Sequence, residues 1–94
     1  MSTPYTLIVD DEPGIARLCE RLLTRAGFGA KSFTDPHKAM GYLRQNRIDL
    51  LLVDIRMPEI DGFSLVSFAK EQQPDIATLI MTGSCSFVIG TITT

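Results

Sequence analysis

The chain has 94 residues, 45% of them hydrophobic and 21% charged, which is the composition of one globular domain. Nine basic and eleven acidic residues give a net charge of −2, and the scattered Lys and Arg residues argue against a nucleic-acid surface. Since no signal peptide is visible and no apolar run approaches the length of a membrane span, we expect a cytoplasmic protein.

Four short apolar segments have the length and composition of β-strands. The second is the least apolar and carries Lys31, which favours a position at a sheet edge, whereas the third is the most apolar and is predicted to be central. In chain order the predicted strands are "YTLIV" (5–9), "FGAKSF" (28–33), "DLLLVD" (49–54) and "IATLIM" (76–81).

Segments of helical periodicity separate these strands. The first is predicted to begin at Pro13, where proline is tolerated, and to end at Gly27. The second begins after Asp35 as N-cap and extends to about Asn46, and the third spans about 63–72.

Strands that alternate with helices predict an α/β fold, a doubly wound parallel sheet with helices on both faces. In such sheets ligands bind outside the carboxyl ends of the strands. If the first and third strands are neighbours, as in the flavodoxin-like order, the side chains that follow them face one crevice.

Three acidic side chains and one hydroxyl side chain lie at these carboxyl ends. Asp10 and Asp11 follow the first strand, Asp54 closes the third, and Thr82 follows the fourth. Clustered carboxylates repel each other unless a cation lies among them, and oxygen ligands suit Mg²⁺, whose open positions phosphate oxygens commonly complete. Alternatively, Asp10, Asp11 and Glu12 cap the first helix, and Asp54 is a turn residue.

Three motifs together resemble the receiver domain of bacterial two-component response regulators. They are "VDDE" at 9–12, "LLVDIRMPEIDG" at 51–62 and "IMTG" at 80–83, and the resemblance runs from about Tyr5 to Gly83. It implies a flavodoxin-like sheet of order 2-1-3-4, and a signalling domain rather than an enzyme.

The resemblance also implies roles for individual residues. Asp54 is expected to accept a phosphoryl group from a sensor histidine kinase, and Thr82 to be the switch hydroxyl. Mg²⁺ is expected to be bound by Asp10, Asp11, Asp54 and the backbone carbonyl of Arg56.

The resemblance fails in the tail, residues 84–94, which we separate from a receiver-like domain at 1–83. The tail replaces an expected fourth helix and fifth strand, and the lysine that closes the site in this family is missing. A truncation, a frameshift or an engineered junction would each explain this. "FVIGTITT" has strand propensity, and we expect it to pair antiparallel with strand four or to be exchanged in a homodimer, which we favour.

Two functions stay open from the sequence. The first is a phosphoacceptor receiver, impaired by the missing lysine, and the second is a truncated binding module or decoy that keeps the shape without switching. A phosphatase of the haloacid dehalogenase type is set aside, because it would need a D-x-D pair where this chain has adjacent Asp10 and Asp11. We expect no nucleic-acid or membrane partner within this chain.

Overall fold

A computed structural model describes residues 3–54, 60–82 and 86–88. Eight elements follow each other in the order that the sequence predicts, and the first seven have bounds within about two residues of expectation. They are β1 (Tyr5–Val9), α1 (Pro13–Arg25), β2 (Gly29–Phe33), α2 (Pro36–Gln45), β3 (Leu50–Asp54), α3 (Gly62–Gln72), β4 (Ala77–Thr82) and β5 (Ser86–Val88). The described part of the predicted tail strand "FVIGTITT" is limited to Phe87 and Val88.

The strands form one sheet of order β2-β1-β3-β4-β5, in which the first four strands run parallel. The predicted flavodoxin-like order 2-1-3-4 is therefore confirmed, with β2 at an edge and β3 in the centre. β5 pairs antiparallel with β4, so that Met81 lies opposite Phe87 and Thr82 opposite Ser86. β5 thus pairs with β4 within one chain, which is one of the two alternatives expected for the tail.

Local signals in the sequence set the ends of the helices. Pro13 lies in the first turn of α1, where its missing N–H costs nothing, and Gly27 follows the helix with φ of 97°, which favours glycine. Asp35 caps α2 by accepting a hydrogen bond from the His37 N–H at 2.9 Å. Asp61 caps α3 by accepting one from the Ser64 N–H at 2.8 Å.

The two faces of the sheet are covered unequally. One face carries α2 and α3 over the larger core cluster, which includes the fully buried Leu7, Leu51 and Leu65. The other face carries α1, which packs on β1 and β2 over a smaller cluster formed by Ile8, Cys19, Leu52 and Met81. The helices of the described residues are too short or too polar to cross a lipid bilayer.

Candidate functional site

Three carboxylates meet at the carboxyl end of the sheet, as the strand order predicts. β1 and β3 are parallel neighbours with Val9 opposite Val53, so that the residues which follow, Asp10 and Asp54, come out at the same edge. One carboxylate oxygen from each of Asp10, Asp11 and Asp54 lies within 4.8 Å of the other two.

Asp10 is the buried member of this cluster, with 3% of its surface exposed. Its N–H donates to the Phe33 carbonyl at 3.1 Å, which fixes the backbone beside β2. Burial raises the pKa of its carboxyl from 3.8 to about 6, with further contributions from the charges of Asp54 and Asp11. A hydrogen bond from the Glu12 N–H to Asp10 Oδ1, 2.9 Å long, opposes this shift only partly.

The other two carboxylates are open to solvent. Asp11 is exposed, and Asp54, the last residue of β3, is half-buried. A ligand that approaches the edge of the sheet therefore reaches Asp11 and Asp54 directly, whereas Asp10 contributes from below.

The helix-capping interpretation of these acids does not account for the cluster. Glu12 is the N-cap residue of α1, yet its side chain makes no capping hydrogen bond. Asp10 bonds the Glu12 N–H in a local turn, which uses one of its two carboxylate oxygens. The turn interpretation of Asp54 is wrong, because this residue belongs to β3 and pairs with Met81.

Two of the predicted site residues cannot be compared in full. Thr82 is the last residue of β4, at the carboxyl edge of the sheet, but its side chain lies outside the described structure. Arg56, expected to contribute its carbonyl, lies outside the described residues altogether, as do Met57, Pro58 and Gly83.

The burial of Asp10 was not foreseen. It follows from the position of Asp10 directly after buried residues of β1, a strand that has neighbours on both sides.

The donor set suits a hard divalent cation. Every donor in the cluster is a carboxylate oxygen, and within the described residues no cysteine or histidine joins them. Adjacent ligands of an octahedral Mg²⁺ ion stand about 3 Å apart and opposite ligands about 4 Å, so that three oxygens within 4.8 Å of each other would bind one ion together after their side chains move closer. Burial is the main cause of the raised pKa of Asp10, and the charges of Asp54 and Asp11 raise it further; a bound cation would offset both effects.

Comparison with known proteins identifies the class of domain that this fold and this site define. Residues 6–89 match the family model of the response regulator receiver domain, six residues beyond the Gly83 limit of the sequence resemblance. The chain belongs to this family, the receiver domains of two-component regulators.

Individual relatives agree with this assignment. The DNA-binding transcriptional regulator NtrC of Proteus hauseri is 40% identical over 75 residues, which are 80% of this chain and 16% of that protein. A CheY-like receiver domain protein from Methanospirillum hungatei superposes with a TM-score of 0.83 at 25% identity, over 90% of this chain and 68% of the other.

A further solved structure is the response regulator TrrA of Thermotoga maritima in complex with Mg(2+)-BeF, with a TM-score of 0.80 at 25% identity. The match covers 88% of this chain and 72% of that one. The chain thus spans about one sixth of the NtrC relative and about two thirds of these two solved chains.

Proposed function

We propose that this chain is a receiver that accepts a phosphoryl group on Asp54 from a sensor histidine kinase. The observation that carries the proposal is the three-carboxylate cluster at the carboxyl edge of the sheet. Asp54 is the candidate acceptor because it ends the central strand and is reachable from solvent, whereas Asp10 is buried.

Asp10, Asp11 and Asp54 would hold Mg²⁺, together with the backbone carbonyl of Arg56. The complex of TrrA with Mg(2+)-BeF supports this choice of metal, as does the all-carboxylate donor set here. When bound, the ion offsets negative charge on the phosphoryl oxygens, which is the main requirement of phosphoryl transfer.

Asp54 supplies the nucleophile. One of its carboxylate oxygens attacks the phosphorus of a phosphohistidine, the P–N bond breaks, and the electron pair returns to the histidine ring of the kinase. Without a cation, the carboxylates of Asp10 and Asp11 would repel the negatively charged phosphoryl group. Transfer to Asp54 is therefore expected only when a cation is bound. Thr82, the last residue of β4, is the proposed switch residue, whose hydroxyl would donate a hydrogen bond to the new phosphoryl group.

The lysine that the family resemblance implies beside the phosphoryl group has no sequence counterpart, because the lysines of this chain lie on β2, α2 and α3. The three lysines of the chain are Lys31, Lys38 and Lys70. Lys70 Nζ donates to the Ile76 carbonyl at 2.6 Å, at the opposite end of the sheet, and Lys31 Nζ lies 5.6 Å from the centre of the Phe33 ring. Loss of one preorganised contact to a phosphoryl group costs about 3 kcal/mol, so we expect labelling about a hundredfold slower than in a receiver that has the lysine.

Incubation of the 94-residue chain with a small phosphoryl donor and Mg²⁺, followed by intact-mass measurement, tests the proposal. We expect slow addition of one phosphoryl group that Asp54→Asn abolishes. Asp35→Asn is the matched control, because it makes the same change at an N-cap where asparagine also serves.

The alternative function predicts a different result. A binding module or kinase decoy would show no labelling even after long incubation, yet would still bind the kinase. Rapid stoichiometric labelling that depends on Asp54 would mean that the lysine is dispensable and that the decoy hypothesis is wrong.

We further propose a receiver-like domain at 1–83, a tail at 84–94, and a cytoplasmic location shared with the kinase. The antiparallel pairing of β5 with β4 can also form between two copies by strand exchange, and this would make a homodimer. Sedimentation of the full chain and of a version that ends at Gly83, both at micromolar concentration, tests this. A monodisperse monomer for the full chain would exclude the dimer.

A further inference from the structure

A fourth carboxylate, that of Glu12, lies next to the three-carboxylate cluster. The Glu12 N–H donates to Asp10 Oδ1 at 2.9 Å, which places the Glu12 backbone against the buried member of the cluster. Since a glutamate oxygen lies at most about 6 Å from its own backbone nitrogen, the Glu12 carboxylate is within about 9 Å of that Asp10 oxygen. This separation is close to the Debye length at physiological ionic strength, so that the charge of Glu12 acts on the site.

The fold does not use the Glu12 carboxylate as a helix cap. Glu12 is the N-cap residue of α1 and is exposed, and its side chain makes no capping hydrogen bond. By contrast, Asp35 and Asp61 accept the capping hydrogen bonds of α2 and α3. Glu12 Oε1 lies 3.8 Å from the position that a Cβ would take on Gly14, which keeps the charge beside the first turn of α1. This negative charge is therefore held at the carboxyl edge of the sheet, where a phosphoryl donor would approach.

Phosphoryl donors differ in the charge that they bring to such a site. The phosphate group of an acyl phosphate, such as acetyl phosphate, has about two negative charges at neutral pH. A donor with a P–N bond, such as phosphoramidate, carries a proton on its nitrogen, and the positive charge there offsets part of the negative charge. A carboxylate near the acceptor therefore repels the acyl phosphate more strongly than the P–N donor.

We propose that Glu12 is a specificity-determining residue, whose charge favours phosphoryl donors with a protonated nitrogen leaving group over acyl phosphates. This inference rests on the proposed function of Asp54 as the phosphoryl acceptor. In the favoured reaction an Asp54 oxygen attacks phosphorus, the P–N bond breaks, and its electron pair goes to the nitrogen, which leaves with the protons it already carries. From phosphoramidate the leaving group is ammonia.

Glu12 acts on this step through its charge alone. It is not one of the three residues whose oxygens lie within 4.8 Å of each other, so no role as a metal ligand is assigned to it. A phosphohistidine with a protonated ring belongs to the favoured class of donors. The charge of Glu12 would thus reduce labelling by acyl phosphates relative to labelling by the kinase.

Relative labelling rates with two small donors test the proposal. The 94-residue chain and Glu12→Gln are each incubated with acetyl phosphate and with phosphoramidate at saturating Mg²⁺, and intact mass gives the four rates. One charge at about 9 Å, in a medium between protein and water, changes a rate by about threefold. Glu12→Gln should therefore raise the ratio of acetyl phosphate labelling to phosphoramidate labelling by about threefold. Added salt should reduce this difference, because it screens the charge of Glu12.

Two further variants separate the charge of Glu12 from its structural role. Glu12→Asp keeps a carboxylate at the position and should keep a ratio close to that of the parent chain. Glu71→Gln removes an exposed charge near the end of α3, at the opposite end of the sheet, and should leave the ratio unchanged. If Glu12 only stabilised α1, Glu12→Gln would lower the free energy of unfolding or change both rates equally, without changing their ratio.

The possible failures of this inference and of the proposed function are distinguishable. A ratio that is the same in Glu12→Gln and in the parent chain, with labelling that still depends on Asp54, would overturn the inference alone. An equal change of the ratio in Glu71→Gln would overturn it too, because the net charge of the chain would then set the preference. Labelling by neither donor would overturn the proposed function, and this inference with it.

Discussion

The polar groups at the two ends of the sheet differ in charge and in hydrogen bonding. At the amino end, the Gln73 side chain makes three hydrogen bonds to backbone, with Nε2 donating to the carbonyls of Leu43 and Asn46 and Oε1 accepting from the Ile48 N–H. At the carboxyl end, Asp10 is buried with its pKa raised to about 6, beside two more carboxylates.

Hydrogen bonds at the amino end of the sheet stabilise the fold, whereas the carboxyl end holds the carboxylates of the proposed site. The amino end joins the connections before β3 and β4 with neutral hydrogen bonds, and a cleft of about 400 Å³ there is lined by these same segments. The carboxyl end holds repelling charges that destabilise the fold until a cation or a proton arrives. Changes at the first end should therefore reduce stability, and changes at the second should increase it.

The largest expected effect is the loss of stability that follows when the hydrogen bonds at the amino end of the sheet are removed. Gln73→Ala removes all three side-chain hydrogen bonds and leaves the partly buried Leu43 carbonyl and Ile48 N–H without these partners, whereas the bond to the Asn46 carbonyl is exposed. At about 1 kcal/mol for each partly buried bond and less for the exposed one, we expect the free energy of unfolding to fall by about 2.5 kcal/mol in urea denaturation.

The neighbouring glutamine is the matched control for this change. Gln72 is exposed at the end of α3, and Gln72→Ala should change the free energy of unfolding by less than about 0.5 kcal/mol. Similar effects of the two substitutions would contradict a stabilising role for the Gln73 hydrogen bonds.

The sequence predicted the carboxyl end better than the amino end. Asp10, Asp11 and Asp54 were found because strand ends can be read from apolar runs, and parallel strands bring their carboxyl ends to one edge. The Gln73 hydrogen bonds could not be predicted, since they join residues 25 to 30 positions apart through loop geometry that no periodicity encodes.

A second prediction concerns the charge of Asp10. Its folded pKa of about 6 lies above the ordinary 3.8, so its stabilising contribution is complete below pH 3.8 and is lost as the pH rises through about 6. Asp10→Asn removes the charge and keeps an oxygen for the Glu12 N–H. In metal-free buffer at pH 7.5 we expect this variant to be about 2 kcal/mol more stable than the parent chain, within an upper limit of roughly 3 kcal/mol.

The pH dependence distinguishes this explanation from a general effect of the amide. The advantage of Asp10→Asn should shrink as the pH is lowered from 7.5 and vanish near pH 4, measured by urea denaturation at each pH. Asp35→Asn provides the comparison, since its carboxylate is a helix cap outside the cluster. An advantage of Asp10→Asn that stays constant from pH 4 to 7.5 would mean that burial of the charge is not its cause.

The smallest expected effect is that of Mg²⁺, which should offset the negative charges at the carboxyl end of the sheet and so reduce their destabilising effect. If the ion binds with a Kd of about 1 mM, 10 mM Mg²⁺ raises the free energy of unfolding by about 1.4 kcal/mol. Amide shifts should be centred on Asp10, Asp11 and Asp54, and Asp54→Asn should reduce both effects. Asp75→Asn, an exposed carboxylate at the amino end, should leave them unchanged. Absence of shifts around Asp10 at millimolar Mg²⁺ would mean that the cluster tolerates its repulsion without a cation, and that the metal-binding role of these carboxylates is wrong.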